Sequence, residues 1–274
     1  YLSRVAGLDE VMTYSFGFDP LLERIDAVPA DRLVLRNAIS AEMPALRTTL
    51  GPNLLGVLEK NERVLDTVRI FEVGRVFLPR SGALPDQPTL LGVLVADHAL
   101  AEGGGFALGK GILAGLSRAA ERQMPTLVSG GVSHAWAHPV RQARLQIDGE
   151  DVGYLAELHP GTRAALDVKH GAVLLELDLD AWRASELAAT GYRRLARFPA
   201  VFRDFAVVVD ETVRAGEVQA AIVAAAKAAG FTEIEDDWTW GECLAFIFEE
   251  KVEPTLIQPA HVTHFPKDIS PFAK

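Results

Sequence analysis

Residues 143–159, ARLQIDGEDVGYLAELH, restrict the fold more than any other stretch. Two runs of alternating apolar and polar residues meet at Asp148-Gly149, a dipeptide that supplies the positive φ angles a two-residue hairpin turn requires. The middle of the chain is thereby committed to antiparallel pairing.

Strand character recurs around this hairpin. DEVMTYSF (9–16) and RLVLRNA (32–38) are each bounded by Asp, Gly or Pro, and TLLGVLVADH (89–98) is a further strand. TVRIFEVGRVFL (67–78) alternates, with Ile70, Val73 and Val76 against Phe71 and Phe77, and is read as a hairpin turning near Gly74. AVLLELDLDAWRA (172–184) runs from a strand into a helix. Helical spacing is found in SAEMPALRTTLGPNLLGVLEKNERV (40–64), with Leu50, Leu54, Leu55 and Leu58 on one face, and in GKGILAGLSRAAERQM (109–124). The layout is α+β, an antiparallel sheet flanked by helices.

A boundary falls near Tyr192. Beyond it RFPAVFRDFAVVVDE (197–211) reads as a strand, RAGEVQAAIVAAAKAAG (214–230) as an Ala-rich helix ended by Gly230, and FTEIEDDW (231–238) as the start of another strand. This is the β-α-β opening of a ferredoxin-like module.

Composition narrows the function classes. With 274 residues, 49% of them hydrophobic and 23% charged, the chain can bury one large core or two modest ones. No apolar run is long enough to span a bilayer, and YLSRVAGLDE (1–10) lacks the regions of a secretory signal, so no membrane partner is expected. It also lacks an initiator Met, and the chain is expected to be a fragment. Cys243 is the lone cysteine, which excludes an intramolecular disulfide and a Cys-rich zinc site and suits a reducing cytoplasm. The net charge of −10 opposes a generally basic, nucleic-acid-gripping surface, but YRRLARF (192–198) is a local basic cluster.

Six motifs in order carry a resemblance: GLDEVMTYSF (7–16), RNAISAEMPALRTTLGPNLLGVLEKN (36–61), VRIFEVGRVF (68–77), AHPVRQARLQIDGEDVGYLAELHP (137–160), LLELDLD (174–180) and RFPAVFRDFAVVVDE (197–211). Through them residues 1–233 resemble the C-terminal part of the bacterial-type phenylalanyl-tRNA synthetase β subunit. The resemblance implies a class II synthetase-like core without its own catalysis at 1–192, followed by a truncated ferredoxin-like anticodon-binding module at 193–238. It implies a catalytic α subunit and tRNA as partners, in a hetero-oligomer. ATP and Mg are then expected only in the α subunit, with no cofactor, metal or catalytic residue in this chain. The family's editing region and acidic Mg-associated segment have no counterpart here, so neither task is assigned. Leu50, Leu54, Leu55 and Leu58 are the candidate subunit interface, and Arg193, Arg194, Arg197 and Arg203 the candidate RNA contacts, as fixed cations suit phosphates.

The residues allow the non-catalytic expectation to be examined. Class II enzymes resemble one another in a Phe-Arg-x-Glu pattern after a segment like FEVGRVF, whose Arg holds the ATP α-phosphate. Here Leu78 stands at the Arg position and Arg80 at the Glu position, and the final Gly-rich segment with its second Arg is absent. Glu72 and Arg75 remain, read as an ion pair at a surface or interface. GGFALGKG (104–111) satisfies Gly-x4-Gly-Lys but continues with Gly111 instead of the Ser or Thr that holds Mg²⁺, so it is read as a decoy. His134, His138, His159, His170, His261 and His264 show no zinc spacing, and His138-Pro139 and His159-Pro160 are read as turns at strand ends.

Residues 236–274 resemble a different family, lysyl-tRNA synthetase, through the helix end IFEE, LIQP and the closing SPFAK. Ala260-His261 and Phe272 depart from that pattern, and the lysine-binding and last ATP-binding segments are missing. The tail, counted from residue 239, is expected to be a graft that makes the chain a hybrid. Pro254, Pro259, Pro266 and Pro271 each remove a backbone donor, so an extended, poorly paired end is expected. The competing readings are a fragment of a lysine-tRNA ligase and a purely structural interaction module.

Overall fold

A computed structural model describes residues 1–101, 103–185, 187, 210, 213 and 215–228. The chain divides into two units, Tyr1–Gly191 and Tyr192–Lys274.

In the first unit the elements run β1 (Asp9–Glu10), α1 (Asp19–Arg24), α2 (Gly51–Asn61), β2 (Thr67–Arg75), β3 (Thr89–Asp97), α3 (Gly104–Ala119) and β4 (Thr126–Ser129). They continue with β5 (Ala137–Ile147), β6 (Glu150–Leu158), α4 (Pro160–Ala165), β7 (Gly171–Asp178) and α5 (Leu179–Ala184). The strands form one sheet in the order β1-β2-β3-β7-β6-β5-β4. The fold class is α+β, but the sheet is mixed and not wholly antiparallel, because β1 lies parallel to β2.

The expected hairpin at 143–159 is present. Asp148 and Gly149 take φ of 51° and 85°, the double positive φ of a tight two-residue turn, and Ile147 pairs with Glu150. The hairpin expected at Gly74 is absent: β2 runs straight through Gly74, which pairs with Leu90. A glycine is needed there for another reason, since the Arg47 guanidinium occupies the space a Cβ would fill. Residues 9–16 and 32–38 also differ from expectation. Only Asp9–Glu10 is a strand, and the rest contributes isolated bridges, Phe16 to Leu46 and Val34 to Ala45.

Each face of the sheet carries one long helix. Helix α2 begins at Gly51, later than the pattern from residue 40 suggested, and Pro52 favours that start because its missing N–H has no helical partner to lose. Its Leu54, Leu55 and Leu58, with Leu50 just before it, are fully buried against β2, β3 and β7 residues such as Ile70, Leu94 and Leu174. Burial of each such leucine is worth about 1.5–3 kcal/mol before entropic costs. These four side chains therefore belong to this unit's own core and offer nothing to a partner, which corrects their reading as an interface. The apolar stripe of an amphipathic helix does not itself say whether its cover is intra- or intermolecular.

Helix α3 packs on the opposite face through Ile112 and Leu113. It starts five residues before the expected helix because Gly105 and Gly109, poor helix formers, let it approach the sheet: a Cβ on Gly109 would collide with Leu155 and stand 3.2 Å from Val173. No helix among the described residues is long and apolar enough to cross a membrane.

In the second unit the described element is α6 (Ala215–Ala228), within the expected Ala-rich helix. The strands expected at 197–211 and 231–238, Gly230, Cys243 and the whole of 236–274 lie outside the described residues apart from Asp210.

Candidate functional site

A buried ion pair organises one end of the sheet. The Arg47 guanidinium donates to Glu72 Oε1 at 2.8 Å, to Thr13 Oγ1 at 2.8 Å and, through Nε, to the Arg75 carbonyl at 2.9 Å. Thr13 Oγ1 in turn donates to Glu72 Oε2 at 2.7 Å. Both charged side chains are almost fully enclosed, at 4% and 2% exposure. A charge so desolvated is tolerated only when its hydrogen-bonding capacity is met, and this one ties residues 13, 47, 72 and 75 together. The pairing of Glu72 with Arg75 expected from sequence is thus corrected: Arg75 supplies its carbonyl, and Glu72 pairs with Arg47 inside the protein.

Two further glutamates act on helix ends. Leu50 offers no side-chain cap to α2, and Glu176 of β7 takes that role, accepting from Leu50 N at 2.8 Å, Gly51 N at 3.2 Å and Thr49 Oγ1 at 2.7 Å. Burial pushes the Glu176 carboxyl pKa upward, while these donors and the charge of Arg47 pull it back. On the other face Glu157 of β6 accepts from Phe106 N at 3.0 Å in the first turn of α3, and Arg141 pairs with the same carboxylate. The helix start within GGFALGKG, whose N–H groups a phosphate would need, already holds a carboxylate, and Lys110 is exposed. Its glycines serve helix-sheet packing.

A cleft of about 410 Å³ opens beside Arg47. Among its lining residues are Asp26, Arg32, Thr49, Pro52, Leu78 and His134. Leu78, at the position where a phosphate-holding Arg was looked for, is 39% exposed. Arg80 pairs instead with Asp86 at 3.0 Å on the surface. Arg32 places two guanidinium nitrogens on the two oxygens of Asp19, which raises its pKa further. His134 stacks on Trp136 with centroids 4.4 Å apart and planes 7° from parallel, and meets Tyr154 at 4.6 Å. Burial lowers the His134 pKa to about 4, so the ring is neutral near pH 7. Trp136 Nε1 donates to Tyr154 Oη at 3.1 Å, and burial raises the Tyr154 phenol well above its usual value.

The two histidines read as turns, His138 and His159, do hold turns. His138 Nδ1 accepts from Val140 N and Arg141 N at 3.1 and 3.0 Å, and His159 caps α4 by accepting from Gly161 N at 2.9 Å. Among the described residues no three or more of His, Cys, Asp and Glu gather as a metal site. Arg193, Arg194, Arg197 and Arg203 lie outside the described residues.

A second groove, about 590 Å³, runs along the outer side of α2. It is lined by Met12, Tyr14, Phe18, Met43, Val57 and Lys60 among others. Met12 and Tyr14 are 95% and 73% exposed. Sequence reasoning missed this surface because it read 9–16 as a strand, whereas only Asp9–Glu10 pairs as one. It also missed Arg47 and Glu176. A glutamate inside the apolar run LLELDLD was the available signal for the latter.

This sheet, with a helix on each face, has the fold of class II aminoacyl-tRNA synthetases. The pyrrolysyl-tRNA synthetase of Desulfitobacterium hafniense superposes with a TM-score of 0.52, at 16% identity, over 69% of this chain and 68% of that one. Residues 2–179 match the family profile described as the phenylalanyl tRNA synthetase beta chain CLM domain, and the chain belongs to that family. It is 34% identical over 233 residues to the phenylalanine-tRNA ligase beta subunit of Halalkalibacterium halodurans, covering 80% of this chain and 28% of that protein. The Burkholderia pseudomallei beta subunit is 35% identical over 228 residues, covering 79% and 28%. The chain thus spans little more than a quarter of the length of these relatives. A short segment of 51 residues is 88% identical to the lysine-tRNA ligase of Rhizobium etli, covering 19% of this chain and 10% of that enzyme.

Proposed function

We propose that the chain acts by binding, as the class II-like part of a phenylalanine-tRNA ligase β subunit that supports a catalytic α subunit in forming Phe-tRNA in the cytoplasm. Adenylate chemistry, with its ATP and Mg, belongs in this reading to the α subunit. The observation that carries it is Leu78, an apolar side chain lining the cleft where the fold's chemistry asks for a cation. The two cations lining that cleft, Arg32 and Arg47, are occupied by Asp19 and Glu72. Activation of an amino acid needs a preorganised positive charge on the α-phosphate, and loss of one such group costs about 10²–10³ in rate.

The outer groove with Met12 and Tyr14 is the surface we assign to the α subunit, because large apolar side chains at such exposure are otherwise costly to solubility. The anticodon-binding module at 193–238, the tail at 239–274, and tRNA phosphate contacts from Arg193, Arg194, Arg197 and Arg203 complete the proposal. The 88% identity to a lysine-tRNA ligase over 51 residues supports the reading of the tail as lysyl-type, yet it spans 10% of that enzyme.

Co-expression with a tagged phenylalanyl α subunit, followed by size-exclusion chromatography and pyrophosphate exchange, tests the proposal. Co-elution, with exchange only when the α subunit is present, is the expected result. Lysine-dependent exchange by the isolated chain would overturn it in favour of the lysine-activating reading.

A further inference from the structure

We propose that the cleft lined by Asp26, Leu78 and His134 is a binding site for a small aromatic ring that carries a cationic amine. Its volume of about 410 Å³ admits a bicyclic ring with a short side chain.

The recognition of a ring follows from the aromatic ladder at one wall. Trp136 and Tyr154 are buried and hydrogen-bonded to each other, so they fix the plane on which His134 lies. Trp136 covers one face of His134, and the imidazole, itself only partly buried, lines the cleft. A further ring set against it extends an existing stack, at the 4.5–7 Å centroid spacing aromatic pairs favour. Leu22, Pro52 and Leu78 supply apolar contact around it.

The charge of the ligand follows from what the cleft leaves uncompensated. Three of the lining residues are charged: Asp26, Arg32 and Arg47. Both arginines are committed to carboxylates outside the ligand space, Asp19 and Glu72. His134 is neutral near pH 7. Asp26 is exposed, has no ion pair among the described residues, and is held just beyond α1 at φ 53° with its N–H on the Glu23 carbonyl. Asp26 is therefore the lining charge without a counter-charge among the described residues, and a phosphate or carboxylate entering the cleft meets no available cation among the described lining residues. An ammonium meets Asp26.

The test uses the complete 274-residue chain, without an α subunit, and ligand-observed NMR titrations with tryptamine, indole-3-acetate and AMP. Tryptamine is expected to bind about fivefold more tightly than indole-3-acetate, the upper ratio an exposed ion pair produces, with AMP no better than the acid. Asp26→Asn, which tolerates the positive φ, is expected to reduce that ratio to below about twofold while leaving circular dichroism and thermal unfolding unchanged. His134→Ala is expected to weaken tryptamine, and His134→Phe, which keeps the stack, to preserve it. Equal or tighter binding of indole-3-acetate or AMP overturns the charge assignment, and absence of tryptamine binding at millimolar concentration overturns the site. Tryptamine binding unaffected by both Asp26→Asn and His134→Ala also overturns it, since the ligand then sits elsewhere.

Discussion

Glu176 Oε2 accepts the backbone N–H of Leu50 at 2.8 Å across 126 positions of sequence, so a central strand caps a helix it is not joined to. Glutamine at this position keeps an acceptor for Leu50 and Gly51 and can donate to Thr49, whereas alanine strands two helix N–H groups and a hydroxyl. Glu176→Ala is expected to lower unfolding free energy by about 1–3 kcal/mol and Glu176→Gln by less than about 1 kcal/mol, read from urea melts. Because burial raises the folded pKa above the ordinary 4.5, the folded state holds this proton more tightly than the unfolded chain. Its contribution to stability falls as pH rises from 4.5 through the folded value, and the glutamine variant lacks that slope.

The Arg47–Glu72 pair should show strong coupling. Arg47→Met or Glu72→Met alone leaves an uncompensated buried charge and is expected to cost about 3–5 kcal/mol. The double variant Arg47→Met with Glu72→Met is expected to cost less than the sum of the single losses. Chemical denaturation of all four proteins in a double-mutant cycle gives the answer, and simple additivity would contradict the pairing.

His134 gives the opposite pH dependence. Its folded pKa of about 4 lies below the ordinary 6.5, so the unfolded chain takes up the proton first. Stability from this group is complete above pH 6.5 and declines as pH falls toward 4, by at most about 3 kcal/mol. Wild-type and His134→Phe melting temperatures, followed over that range, should diverge on acidification.

The glycine-rich stretch before Lys110 yields a paired test. Gly109→Val forces the β-branched side chain into Leu155 and is expected to destabilise by about 1–3 kcal/mol or more. Lys110→Ala, at an exposed position, should change stability by less than about 0.5 kcal/mol and leave nucleotide affinity at background. Calorimetry with ATP distinguishes this packing role from a phosphate loop.

What could be read from sequence was local. The Asp148-Gly149 turn and the strand-to-helix passage at 172–184 are encoded in residues a few positions apart, and both are found. What could not be read depends on partners distant in sequence. Gly74 looked like a turn because the side chain that fills its space, Arg47, lies 27 positions earlier. The leucines of α2 looked like an interface because periodicity identifies a buried face without identifying its cover. In the cleft, Leu78 was singled out from the motif it breaks, while Asp26 and His134 carry no local pattern that sets them apart.

The strand order also has a kinetic consequence. β2 and β3, like β5 and β6, are consecutive in sequence as well as neighbours in the sheet, so each pair can close locally, β5 and β6 across the two-residue turn at Asp148-Gly149. The seam between β3 and β7 instead joins Leu90 to Asp178 and cannot close until α3, β4, β5 and β6 have been accommodated between them. Loop-closure entropy makes that seam the slow step. Until it forms, the inner edges of two half-sheets stand open, their leucine- and valine-rich strands exposed to other chains. Newly synthesised protein should therefore lose most to aggregation in the interval before β7 docks, however stable the finished sheet becomes.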